Sequence, residues 1–365
     1  MLRFRARRRS HPLGKEAQGG DYGKVSTRAW IWQERYVANL CGRRILSINV
    51  LAYGRMLSAR TVFFTGSALK FECRAHSVWE GFGEGVTGPS WSSQLENISH
   101  WSWLGLVEEY MRRDISRPSD RLPAVESVMR RIERSRGWSP LWGMWENALL
   151  DSLGWQVEMW NGPGSKHLCK MNPGFYAPTW SWAGVDGPIS YVNILTEAES
   201  NDPRVYDLEI QKSNAATGVI TVAGHVISGE LRCEVTESLL QDPESREESI
   251  ATGKKSFDYD YNCTMIGRAL AGRIRADVAL GPWIGAIDGQ NISTVIRVPY
   301  GEAWPEVSWT SNCLCLMVSR QKLRSLILFL GRSLRVPGAW ERIGIVDGLN
   351  PGFFEDSERR VIDIA

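Results

Sequence analysis

The sequence FYAPTWSWAGVDGPISY, residues 175–191, decides how the rest of this chain is interpreted. Trp180 and Trp182 lie two residues apart, so an extended backbone would turn both rings toward the same face. Pro178 favours an extended residue before it, and the Asp-Gly-Pro run at 186–188 is typical of a turn. The stretch therefore predicts a tryptophan-rich core strand, a tight turn and a short apolar exit strand.

The composition is that of a folded protein long enough for two domains, with 365 residues, 43% of them hydrophobic and 23% charged. Eleven of the seventeen tryptophans fall between Trp30 and Trp160, which predicts an aromatic-rich core there. A net charge of +2 argues against a global attraction to nucleic acid or anionic lipid. Because no secretory signal or long apolar run is recognisable, we expect an intracellular, cytoplasmic protein.

The opening stretch also resembles a family motif. The pattern A-P-(S/T)-W-S-W-A-x-V-D-G-P-(I/V) closes the fungal heterokaryon-incompatibility (HET) domain, and residues 177–189 are similar to it throughout. Three earlier blocks resemble the family in the same order: TRAWIWQER at 27–35, Y-x-x-R with DRLPA within 110–124, and G-x-W with L-x-W within 143–155. The four blocks extend over about 165 residues, and a weaker similarity follows in WERIG at 340–344.

We interpret the residues shared with this family as structural rather than catalytic. Glu34 and Arg35 follow two aromatic residues, so they form either a buried ion pair that fixes a helix or a polar site. Buried charges persist only when they are paired, which favours the ion pair. The shared residues are Arg28, Trp30, Gln33, Glu34, Arg35, Asp120, Leu122, Pro123, Ala124, Trp145, Pro178, Trp180, Ser181, Trp182, Asp186 and Gly187.

The resemblance implies an α+β protein, in which an incomplete HET domain of α/β type, distantly like Toll/interleukin-receptor (TIR) domains, precedes a second module. We expect a disordered basic leader at 1–23, the C-terminal part of the HET domain at 24–192, and a β-rich module at 193–365. Regularly punctuated short strands after residue 192 predict that this module is all-β and sandwich-like. Two earlier family blocks have no counterpart here, so an N-terminally truncated domain is expected.

Two segments leave alternatives open. Residues 36–55 separate QER from MLSARTVFF, which follows it directly in the family; they are either a translated intron, whose removal keeps the reading frame, or a genuine loop insertion. Sequencing the transcript across codons 35–56 distinguishes the two. The leader carries five arginines in its first nine residues, so binding to an anionic surface and a mitochondrial presequence are alternatives to a disordered segment.

Two helices are predicted between the second and fourth blocks. Asp120 is a candidate cap for a helix whose apolar stripe includes Val125, Val128 and Ile132. A second helix is expected from Leu141 to Leu153 and would end at Gly154.

No motif in the sequence points to a catalytic, cofactor or metal site. The seven cysteines lack zinc or disulfide spacing, and Cys313 and Cys315 alternate on a predicted strand as small buried side chains rather than ligands. Cys73 and His76 lie three apart, but two ligands do not make a site. The glycines at 81–88 could suggest a phosphate cradle, yet the absence of a following Lys-Ser/Thr favours a structural loop.

The resemblance implies a signalling protein of fungal non-self recognition that triggers incompatibility cell death. Its partner would be another protein or a second copy of itself, with no nucleic acid and no membrane, and we expect it to act without catalysis. An alternative is an NAD hydrolase, because some TIR domains cleave NAD with a glutamate. A third interpretation is an inert fragment of an incorrect gene model.

Overall fold

The chain forms a mixed, mostly β structure with one large sheet. The computed structural model describes residues 60–64, 69–73, 76–79, 88–89, 98–113, 115, 117–158, 170–171, 176–192, 204–237, 257–265, 271–287, 289–299, 302–321, 324–355 and 357–365. The predicted leader, the 36–55 segment, the shared residues between 27 and 35, and most of the glycine-rich loop at 81–88 lie outside these residues.

Two compact units divide the chain, Met1–Gly143 and Met144–Ala365. The family-like block within 110–124 belongs to the first unit, and the blocks from Met144 onward belong to the second. The domain bounds at 24–192 and 193–365 rest on the sequence and stay a prediction.

In the first unit, four antiparallel strands pair in chain order, and two helices follow them. The strands are β1 (Arg60–Phe64), β2 (Leu69–Cys73), β3 (His76–Trp79) and β4 (Gly88–Pro89); a two-residue strand, β5 (Pro140–Leu141), ends the unit. The helices are α1 (His100–Met111) and α2 (Arg121–Arg136). β1 contains the Thr-Val-Phe-Phe run that ends the MLSARTVFF segment.

The helix predicted after Asp120 is confirmed as α2. Asp120 occupies the N-cap position, but its side chain makes no capping hydrogen bond, so that part of the prediction is wrong. Its predicted apolar stripe at Val125, Val128 and Ile132 is buried, and the helix ends at Gly137, whose φ of 69° is left-handed. The Tyr110 hydroxyl of α1 donates a 2.7 Å hydrogen bond to the carbonyl oxygen of Arg121. This bond joins the last turn of α1 to the first turn of α2.

The helix predicted from Leu141 to Leu153 is wrong. Trp142 and Gly143 adopt φ values of 50° and 84°, which interrupt any right-handed helix at this point. The chain then runs through β6 (Met144–Trp145), a 3-10 turn at Glu146–Ala148 and a four-residue helix, α3 (Leu149–Ser152). Local apolar spacing suggested a helix here, but the reversal at Trp142 divides the segment.

The second unit contains the large sheet, and the short strands β7 to β10 come before it. These are β7 (Trp155–Val157), β8 (Lys170–Met171), β9 (Val185–Asp186) and β10 (Ile189–Tyr191), with β10 antiparallel to β7 and β9 to β8. The remaining strands are β11 (Val205–Tyr206), β12 (Glu209–Asn214), β13 (Val219–Glu237), β14 (Phe257–Met265), β15 (Ala271–Arg273), β16 (Arg275–Ala276), β17 (Leu280–Ile287), β18 (Gln290–Arg297), β19 (Trp309–Arg320), β20 (Ser325–Arg332), β21 (Trp340–Leu349) and β22 (Glu358–Ile364).

Strand β13 organises the large sheet because its 19 residues are long enough to pair with successive partners along each edge. It pairs with β22 through Ile220–Val226 and with β19 through Val226–Cys233. Strands β19, β20, β21 and β22 also pair in that order, so five strands form a closed ring of neighbours. The β-rich character predicted for residues 193–365 is confirmed, but the sheet closes on itself through β13 instead of forming the expected sandwich-like arrangement.

Candidate functional site

The Trp-Ser-Trp segment is buried but is not the predicted strand. Thr179 and Trp180 form a turn, and Trp182–Gly184 form a 3-10 helix capped by the Ser181 hydroxyl, which accepts a 3.1 Å bond from the amide of Ala183. Both tryptophans are nevertheless fully buried. The predicted exit strand is confirmed as β10. Burial of both rings thus comes from a turn followed by a 3-10 helix, a geometry that residue alternation does not reveal.

The segment packs against the turn that joins β12 and β13. The indole nitrogen of Trp180 donates a 2.8 Å hydrogen bond to the carbonyl oxygen of Gly218. A Cβ at Gly218 would lie 2.4 Å from Cγ of Pro178, and the φ of Gly218 is 70°, so both the contact and the backbone favour glycine. The indole nitrogen of Trp155 in turn donates to the carbonyl oxygen of Trp180 at 2.8 Å.

Thr179 links this segment to β21 and to the residue after β22. Its amide donates a 3.0 Å bond to the carbonyl oxygen of Ala365, and its hydroxyl donates to the same oxygen. The hydroxyl also accepts a 2.8 Å bond from the amide of Arg342. One fully buried side chain therefore joins three segments that are far apart in sequence.

Arg342 is the centre of the buried polar network. Its Nε donates to Oδ2 of Asp277 at 2.8 Å, and its Nη2 donates to Oδ1 at 3.2 Å. Its Nη1 donates to the carbonyl oxygen of Leu153 at 2.8 Å, and Nη2 also donates to that of Trp155. The guanidinium carbon lies 3.7 Å from the centre of a Trp155 ring, within the range of a cation–π contact.

A second arginine accompanies this ion pair. Arg297 is buried, and its Nη2 donates a 3.2 Å bond to the carbonyl oxygen of Gly184 in the 3-10 helix. Burial raises the pKa of Asp277, and the positive charges of Arg342 and Arg297 oppose that rise. Burial lowers the pKa of both arginines, and the charge of Asp277 opposes this. Asp277 and Arg342 are at most 1% exposed, so the network holds segments together and is closed to a substrate.

The described residues of the family-like blocks are found in both units. Asp120, Leu122, Pro123 and Ala124 lie at the start of α2, where Ala124 is buried and Pro123 is exposed. Trp145, Pro178, Trp180, Ser181 and Trp182 are buried in the second unit, and Asp186 and Gly187 are half-buried after them. Arg28, Trp30, Gln33, Glu34 and Arg35 lie outside the described residues. The sequence alone did not identify Asp277 or Arg297. Arg342 was included only as part of the weak WERIG similarity at 340–344.

A second group of side chains converges beside Gly229 of β13. The Sγ atom of Cys263 on β14 lies 3.7 Å from that of Cys313 and 3.9 Å from that of Cys315, both on β19. The three sulfurs lie within 4.8 Å of one another, and all three residues are buried. The predicted burial of Cys313 and Cys315 is confirmed, but no local spacing could show that Cys263, fifty residues earlier, meets them.

The three thiols share protons unequally. Hydrogen bonds with Cys313 and Cys315 lower the pKa of Cys263, against the effect of burial. The pKa values of Cys313 and Cys315 are raised well above the usual range, chiefly by their hydrogen bonds with Cys263.

Comparison with known proteins adds no relative. No family model, curated protein or solved structure matches this chain. Among the residues that the structure describes, no helix is both long and apolar enough to cross a membrane.

Proposed function

We propose that this chain is a HET-family signalling protein of fungal non-self recognition that acts through protein contacts, without catalysis. The observation that carries the proposal is the ordered similarity of four sequence blocks, which ends in APTWSWAGVDGPI at 177–189. A chance match to one tryptophan pair would not explain why the other three blocks also occur, and why they occur in the same order. The α/β HET-like fold, distantly related to TIR domains, is part of this proposal.

The motif residues have structural roles, and this supports a function without catalysis. Trp180, Ser181 and Trp182 are buried, and the side chains of Trp180 and Ser181 bond to backbone groups, so they maintain the fold and present no reactive group at a surface. Thr179 likewise uses its hydroxyl to join three segments. A buried structural motif is what an interaction domain needs when its signal is binding to a protein partner or to a second copy.

The test is induced expression of the chain in a filamentous fungus, with hyphal growth scored against protein level. We expect growth arrest with the wild-type chain and with Arg359→Met, which changes a surface ion pair whose side chains are 46% and 64% exposed. We expect normal growth with Arg342→Met, because it disrupts the buried network that holds the motif. Unimpaired growth at verified wild-type protein levels would argue for an inert fragment.

A second measurement distinguishes signalling from the enzymatic alternative. Purified chain is incubated with NAD, and nicotinamide release is followed over time. The proposal expects no release above a buffer control. Release that is abolished in Glu34→Gln would replace the proposal with NAD hydrolysis.

A further inference from the structure

We propose that Cys263, Cys313 and Cys315 bind one monovalent copper ion beside Gly229 of β13. Two of these thiols come from β19 and one from β14, and these strands pair with opposite edges of β13. The cluster is therefore assembled across three neighbouring strands of the large sheet. It is separate from the Arg342 network, and its role does not depend on the proposed signalling function.

The separations of the sulfurs fit a metal ion. A point equidistant from three sulfurs with these separations lies about 2.2–2.4 Å from each, which includes the ~2.3 Å of a metal–thiolate bond. The three sulfurs therefore already have mutual separations that suit a three-coordinate thiolate site.

Gly229 on β13 creates the space in which the sulfurs meet. A Cβ added at this residue would lie 2.8 Å from Sγ of Cys263, 3.0 Å from that of Cys315 and 3.2 Å from that of Cys313. Any other residue at 229 would therefore push the thiols apart. The glycine sits between the two strands that carry the ligands, so three separate segments contribute to one geometry.

A disulfide is the competing use of paired thiols, and the strand order disfavours it. Cys263 and Cys313 lie on strands separated by β13, so they are not directly paired cross-strand neighbours. Their sulfurs lie 3.7 Å apart, whereas the S–S bond of a disulfide is about 2.0 Å long. Cys313 and Cys315 are same-face neighbours on one strand, so their Cβ atoms point in parallel rather than toward each other.

The number and softness of the ligands select the metal. Structural zinc takes four ligands, whereas the group found among the described residues has three, all of them thiols. Soft thiolates favour Cu(I). Each thiol that bonds to the ion releases its proton, and copper enters and remains as Cu(I), so no electron is transferred.

The test is an anaerobic titration of the full chain with Cu(I) in competition with a chromophoric chelator. To isolate the cluster, three other cysteines are changed to serine in every sample: Cys41, Cys73 and Cys169. The matched control is Cys233→Ala, a buried thiol of the same sheet outside the cluster. We expect one Cu(I) per chain in the background and in the control, with affinity at least a hundredfold lower in Cys263→Ser and in Gly229→Ala.

X-ray absorption at the copper edge gives the second readout, for which we expect three sulfur neighbours at about 2.3 Å. Circular dichroism shows whether each variant keeps its strands. Equal Cu(I) affinity in folded Cys263→Ser, or fewer than three sulfurs around the ion, overturns the proposal. Tighter binding of Zn²⁺ than of Cu(I) at the same thiols would overturn the choice of metal.

Discussion

Replacing Arg342 with methionine should be among the most damaging single changes in the second unit. The guanidinium is fully buried, binds both carboxylate oxygens of Asp277 and donates to the carbonyl oxygens of Leu153 and Trp155. Methionine fills much of the volume but can make none of these bonds. Asp277 then stays buried without its closest positive partner, and two carbonyl groups lose their donors.

The magnitude follows from those lost partners. Removing one member of a buried ion pair costs about 3–5 kcal/mol, and each buried polar group left without a partner costs about 1–3 kcal/mol. Arg297 remains near Asp277 and offsets part of the lost attraction. We therefore expect Arg342→Met to lower the free energy of unfolding by about 4 kcal/mol, which is a large share of the ~5–15 kcal/mol typical of a whole protein.

The assay is urea unfolding followed by tryptophan fluorescence, since the guanidinium carbon lies 3.7 Å from the centre of a Trp155 ring. Arg359→Met is the matched control, because it breaks an exposed ion pair to Glu209 and should cost less than about 1 kcal/mol. Changing Asp277 to leucine in the Arg342→Met variant also removes the buried carboxylate that has lost its partner. The free energy of unfolding of this double variant should therefore be about 2 kcal/mol higher than that of Arg342→Met alone.

Two results would refute this reasoning. One is a loss below about 1 kcal/mol in Arg342→Met, comparable to an exposed pair. The other is a double variant no more stable than Arg342→Met, which would mean that the charge of Asp277 is not what makes the single change costly.

Three further outcomes are expected from the same unfolding assay. Thr179→Val removes a hydroxyl that bonds to Ala365 and Arg342, so it should cost about 1–3 kcal/mol; a loss below 0.5 kcal/mol would contradict this. Trp180→Phe loses the bond to Gly218 and some buried area, and should cost about 2 kcal/mol, whereas no change would show that the contact is dispensable. Burial raises the pKa of Tyr261, so the folded phenol stays protonated while the unfolded one ionises near pH 10. Stability should therefore fall above about pH 10 by up to ~1.4 kcal/mol per pH unit from this residue, and Tyr261→Phe should show a shallower fall; parallel curves would count against it.

Local patterns predicted the elements better than their arrangement. The helix after Asp120 and the β-rich character of the chain after residue 192 follow from apolar spacing, which depends on neighbouring residues alone. The failure at Leu141–Leu153 has a local cause as well, because nothing in the spacing shows that Trp142 takes a positive φ. Alternation likewise predicted a strand at Trp180, where a turn buries both rings.

Such local patterns could not predict the polar network or the thiol cluster. Asp277 and Arg342 are 65 residues apart, and Cys263 and Cys313 are 50 apart. Asp277 follows β16, which pairs with the strand β21 that carries Arg342, and the cysteines lie on β14 and β19, which both pair with β13, so strand order and register decide each contact. A sequence shows which residues are able to pair, but the partner is selected by the topology of the sheet.

The most direct test of the proposed signalling role is hyphal extension rate after induction, with cellular NAD measured in the same hyphae. The proposal predicts that growth stops at verified protein levels while NAD stays unchanged until arrest. Continued growth at those levels, or a fall in NAD that precedes arrest, would contradict it.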